Sequence, residues 1–141
     1  MKILASSSTG QITDFSTVHI QNGISRESFT QEKSVKKTKL FLVHFPDLPE
    51  RCLDDRVKVE MEKHNVKRTS PNLFLSYIEN NRSLITDGLI VNSLIPFNEP
   101  GESDMYNYLY VKKGDILEVY LELDSLDTSF GPTDLFVVEK A

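Results

Sequence analysis

The stretch MYNYLYVKKGDILEVYLEL, residues 105–123, carries the strongest local pattern in the chain and decides how the rest is read. Its second half alternates. Leu117, Val119, Leu121 and Leu123 fall in one phase, and Glu118, Tyr120 and Glu122 in the other, as the two-residue period of a pleated strand requires. The first half sorts Met105, Asn107, Leu109 and Val111 from Tyr106, Tyr108 and Tyr110, and the intervening turn decides which set joins the leucines. A two-residue loop at Lys113-Gly114 pairs Tyr110 with Leu117 and Tyr108 with Val119, and needs a positive φ at lysine as well as glycine. A three-residue loop closed by Gly114 in the left-handed region needs it at the glycine alone. Turn chemistry favours the second register, in which Tyr108 faces Glu118 and Tyr106 faces Tyr120.

The consequence is functional. Tyr106, Tyr108, Tyr110 and Tyr120, set beside Glu118 on the face opposite the leucines, have the composition of a recognition or subunit interface, because tyrosine offers rigid area with a polar tip. The competing reading places the same rings in a second core layer.

Working outward, 141 residues make one ordinary domain that buries roughly two-thirds of its unfolded surface without disulfides. A net charge of −5 argues against a protein whose task is to neutralise nucleic-acid phosphates. Cys52 is the single cysteine, so no internal disulfide is expected. No apolar run approaches the roughly 20 residues of a membrane span, and residues 1–5 are too short for the apolar part of a signal peptide. A soluble chain, cytoplasmic or part of a virion, is expected.

Residues 1–38 are rich in serine and threonine and read as an extended polar N-terminal arm ahead of a domain at 39–141, with a short strand around Val18 and Ile20. Lys33, Lys36, Lys37 and Lys39 make its end basic, which suits either reaching an acidic neighbouring copy or a solvated linker. The run 40–45, Leu-Phe-Leu-Val-His-Phe, reads as a buried strand. Residues 47–66 fit either a helix or an alternating strand and are divided into a helical turn at 49–55 and a strand at 56–63. Further strands are expected at 73–78, 84–95 and 134–139, with loops at 96–104 and 124–132. The count implies an all-β fold, a single antiparallel β-sandwich or jelly roll.

Residues 109–119, Leu-Tyr-Val-Lys-Lys-Gly-Asp-Ile-Leu-Glu-Val, followed by a polar loop and the strand Phe136-Val137-Val138, resemble the end of the jelly rolls of the tumour-necrosis-factor and complement globular-head superfamily. That resemblance implies a domain that packs as a trimer.

Chemistry is hard to find in the chain. Its six glycines are scattered, so no loop concentrates backbone N–H groups as a phosphate cradle does. His19, His44 and His64 stand in no metal-ligand spacing, and neither a metal nor a cofactor is expected. The best constellation available is His44, Asp47, Asp54, Asp55 and His64 at one end of the domain; the same residues read equally as a core histidine and turn carboxylates. Glu118 and Glu122 stand about 13 Å apart along a strand, too far for a glycosidase pair. The expectation is a non-enzymatic structural protein acting through homo-oligomeric or larger protein assembly, such as a capsid-decorating or tail component of a viral particle. The alternative is a carbohydrate or small-ligand module that uses the tyrosines for stacking.

Overall fold

The run at 40–45 does become the spine of the sheet: β3 (Thr38–His44) is hydrogen-bonded on both sides, by β1 (Lys2–Thr9) and by β8 (Leu135–Lys140). The computed structural model describes residues 1–9, 18–20, 36–84, 90–96, 106–113, 117–123 and 129–141. Over these residues the chain is mainly β. The remaining strands are β2 (Val18–Ile20), β4 (Val66–Arg68), β5 (Ile90–Pro96), β6 (Tyr106–Lys113) and β7 (Leu117–Leu123). They form one eight-stranded sheet in the order β1-β3-β8-β5-β6-β7-β2, with β4 also on β8. Most neighbours are antiparallel, but β5–β8 and β2–β7 are parallel.

Two helices replace strands expected from the sequence. α1 (Asp54–Lys63) occupies the segment read as a helical turn and a strand, and α2 (Pro71–Asn80) the segment read as a strand at 73–78. In α1 the buried residues are Val57, Glu60 and Met61, a helical i, i+3, i+4 stripe, whereas Val59 is exposed. Isolated, a ten-residue helix is marginal. Burying Val57 and Met61 contributes about 3–6 kcal/mol to holding it in place. It ends where Asn65 takes a left-handed φ of 55° and its N–H donates to the Glu62 carbonyl. In α2 the Ser70 hydroxyl accepts from the Leu73 N–H and Pro71 opens the first turn, the pairing of cap and imino acid that helix starts favour.

The helices lie on opposite sides of the sheet. Val57 and Met61 of α1 share a core with Val43, Phe45, Phe136 and Val138, and with Leu48, Cys52, Val66 and Phe130. Val43 is in register with Phe136, so this is one pleat phase. The opposite phase holds Leu40, Leu42 and Val137, all buried, and belongs to α2: the Thr9 and Ser76 hydroxyls are 3.0 Å apart, and the Asn81 amide donates to the Ser7 hydroxyl. A register shift between Ile3 and Ala5 makes this possible. It sets Ile3 against Val43 and Ala5 against Leu42, so β1 changes phase along its length.

Other expectations change at the residue level. Residues 2–9, assigned to a polar arm, are a strand within the sheet. Of the expected return strand at 84–95, residues 90–95 fall in β5 and Leu84 belongs to a 3-10 turn, Arg82–Leu84, while residues 85–89 lie outside the described residues. The basic Lys33, the Gly114 bulge, most of the loop at 96–104 and residues 124–128 of the later loop lie outside the described residues. Among the described residues no helix is long and apolar enough to cross a membrane.

Candidate functional site

The hairpin that organises the sequence is present, with a corrected register. Lys113 pairs with Leu117, Tyr110 with Tyr120 and Tyr108 with Glu122, in place of the expected Tyr108 with Glu118 and Tyr106 with Tyr120. Three residues still connect the strands, but they are 114–116 instead of 112–114. The shift preserves the phase, because each strand moves by two residues. It also brings an opposite-charge pair into register at Lys112 and Glu118, an aromatic pair at Tyr110 and Tyr120, and a β-branched pair at Val111 and Val119. Both registers use a three-residue connection and keep the same alternation, so neither loop length nor pattern along the chain chooses between them.

Register relations extend the phase across the sheet. Tyr106 pairs with Pro96, Tyr108 with Leu94 and Tyr110 with Asn92; Asn92 pairs in turn with Phe136, and Phe136 with Val43. On the far side Tyr120 is in register with His19 of β2. Tyr106, Tyr108, Tyr110, Glu118 and Tyr120 therefore share the phase that α1 covers at β3 and β8. The leucines share the phase that α2 covers.

The constellation of His44, Asp47, Asp54, Asp55 and His64 is not assembled. The His44 ring donates from Nδ1 to the Pro132 carbonyl at 3.3 Å, and its Nε2 is buried without a hydrogen-bond partner among the described residues. Asp54 is held by Arg68 and by Lys58. Cys52 is buried and its backbone bridges Phe130; burial pushes the thiol up from its ordinary value, the opposite of an activated nucleophile. Among the described residues no three His, Cys, Asp or Glu side chains gather as metal ligands would.

What does assemble is a charge cluster on α1 that was hidden by reading 56–63 as a strand. Glu60 is 1 % exposed, and its Oε2 accepts from Arg56 Nη1 at 2.7 Å. Its Oε1 lies 3.4 Å from His64 Nε2 and 3.9 Å from Lys63 Nζ, both looser than a formed hydrogen bond. The Arg56 hydrogen bond holds the carboxyl below its usual range, against the desolvation that opposes it. The i, i+4 spacing of 56, 60 and 64 follows directly from a helix. With one oxygen bonded to Arg56, this carboxylate ties together the turns of α1 on its buried side.

No family model, no curated protein and no solved structure matches the chain.

Proposed function

We propose that the protein is a non-enzymatic assembly protein that works through contacts made by the β6–β7 ribbon, copy to copy or within a larger particle. One observation carries this reading: the tyrosine phase continues the α1 side of the sheet beyond the reach of α1. A helix is about 10–12 Å across with its side chains, and strands are spaced about 4.8 Å apart. Seated over β3 and β8, α1 cannot also cover β6 and β7, which lie two and three places beyond β8. Tyrosine-rich, acid-flanked strand area beyond a covering helix suits a subunit interface. A viral-particle component, or a trimer of the jelly-roll type, is the setting that analogy of fold suggests.

The sandwich or jelly-roll closure expected from the sequence takes, in this proposal, the form of one sheet curling over α2. Two facts support it. Residues 73–78 of α2 are all buried, so the helix is enclosed on more than its sheet-facing side. Only residues 10–17 separate the end of β1 from β2, at the opposite end of the strand order. Nine residue steps reach about 30 Å, and six strand spacings in a flat sheet take about 29 Å, so a flat sheet leaves the connection no slack.

Light scattering on the intact chain and on Tyr108→Ala tests the functional reading. The wild type should exceed the 16.1 kDa monomer at micromolar concentration, and the variant should dissociate with unchanged circular dichroism. Loss of a tyrosine at the centre of an interface costs about 2 kcal/mol or more, some 30-fold in affinity. A wild type that stays monomeric defeats the proposal, and a variant that keeps its oligomer but loses a sugar ligand favours a binding module.

A further inference from the structure

On the α1 side of the sheet, where α1 ends, the surface opens into a half-enclosed cavity of about 500 Å³. Several separate features build it. The register shift in β1 turns Ile3 to this side, β3 supplies Lys39 and Phe41, the left-handed turn after α1 presents His64 and Asn65, and the pairing of β4 with β8 brings Val66 against Lys140. The turn is fastened to the end of the sheet, since the Ala141 N–H donates to the Asn65 carbonyl at 3.0 Å. The floor and walls are therefore apolar, from Ile3, Phe41 and Val66, while the rim carries two lysines.

The lysines make the cavity selective in charge. Lys39 Nζ sits 5.5 Å from the centre of the Phe41 ring, over the apolar floor, and neither Lys39 nor Lys140 has a carboxylate partner among the described residues. From this we infer that the cavity binds a small amphipathic carboxylate, its apolar body against Ile3, Phe41 and Val66 and its anionic head between Lys39 and Lys140. A volume near 500 Å³ is in the range of sites that enclose small molecules, and a few polar groups on an apolar lining are what fix orientation in them. Two cations at the rim of an apolar cleft, each able to donate to one anion, give charge discrimination that an apolar cleft alone lacks.

The test is calorimetric titration of the intact chain with octanoate, with octan-1-ol as the uncharged body and with acetate as the head alone. Octanoate should bind about ten-fold or more tightly than octan-1-ol, and acetate more weakly than either. A Lys39→Gln, Lys140→Gln double variant, both positions being exposed, should bind the acid and the alcohol equally. The corresponding double arginine variant should keep the preference. Amide shifts on octanoate binding should cluster at Ile3, Asn65, Val66 and Ala141. The inference is overturned if octanoate does not bind at millimolar concentration, if the glutamine variant binds it as the wild type does, or if the shifts cluster at 106–123.

Discussion

Replacing Glu60 by glutamine removes one charge from the interior while keeping shape and an acceptor for Arg56, and the size of the effect can be worked from the geometry. Glu60 is 1 % exposed, and its short bond to Arg56 is charge-assisted. Truncating a fully buried pair costs about 3–5 kcal/mol, because the surviving charge is stranded. Arg56, however, is 39 % exposed and can recover water. The loss expected for Glu60→Gln is therefore about 1–2 kcal/mol, near the lower end for a hydrogen bond to a charged group. For a domain of this size that lowers Tm by about 3–7 °C. The pH dependence gives a second reading. The folded-state carboxyl is held below its ordinary value of 4.5, first by the Arg56 hydrogen bond. Its stabilisation is thus fully present above the unfolded value and is lost as pH falls through the lowered folded value. Urea midpoints of wild type and variant should differ fully at pH 7 and converge well below pH 4.5. Equal midpoints at pH 7, or a gap undiminished at pH 3, would refute the reasoning.

Three further outcomes are expected. Tyr77 is 1 % exposed, and its hydroxyl is buried without a hydrogen-bond partner among the described residues, so Tyr77→Phe should be neutral or stabilising by up to about 1 kcal/mol; a loss in urea unfolding contradicts this. Ser70→Ala removes the cap of α2 and should cost about 1 kcal/mol, read from the same curves. Asp134 accepts from the Gly131 N–H at 2.8 Å, yet burial pushes its carboxyl above the ordinary 3.8. A raised carboxyl favours folding below its unfolded value and loses that advantage as pH rises through the folded one. Asp134→Asn, which keeps an acceptor, should then match or exceed the wild type in Tm at pH 7, with the difference vanishing toward pH 3.

How legible the fold was depended on whether local pattern and tertiary environment agreed. β3, β7 and β8 combine apolar runs or clean alternation with flanking turn residues, and they appear close to where the sequence puts them. The phase of β6 against β7 was readable because an even shift does not change it, whereas the pairing partners were not, since registers an even number of residues apart satisfy the same alternation. α1 was obscured by Val57, Val59 and Met61, whose alternation fits a strand as well as a helix. Burial of Glu60 and exposure of Val59 separate the two, and both are consequences of packing. α2 was missed because Leu73 to Ile78 are almost all apolar, and a segment buried on every side shows no period. Ser70-Pro71 was its one readable signal. β1 escaped notice because Ser6, Ser7, Ser8 and Thr9 look like linker, yet serine at an edge strand is tolerated when half of it faces solvent. The lining of the cavity joins residues 3, 39, 64 and 140, and no pattern along the chain links positions so far apart.

β8 comes last of the strands in the chain yet lies inside the sheet, with β3 along one edge and β5 followed by β4 along the other. Residues 135–140 are the direct hydrogen-bonded link between the β1–β3 pair and the β5–β6–β7 meander, which are otherwise tied only indirectly, through the pairing of β2 with β7 and through α2, which touches both β1 and β5. Removing that strand would leave β3 and β5 each with an unpaired edge, the template on which another chain can add a strand of its own.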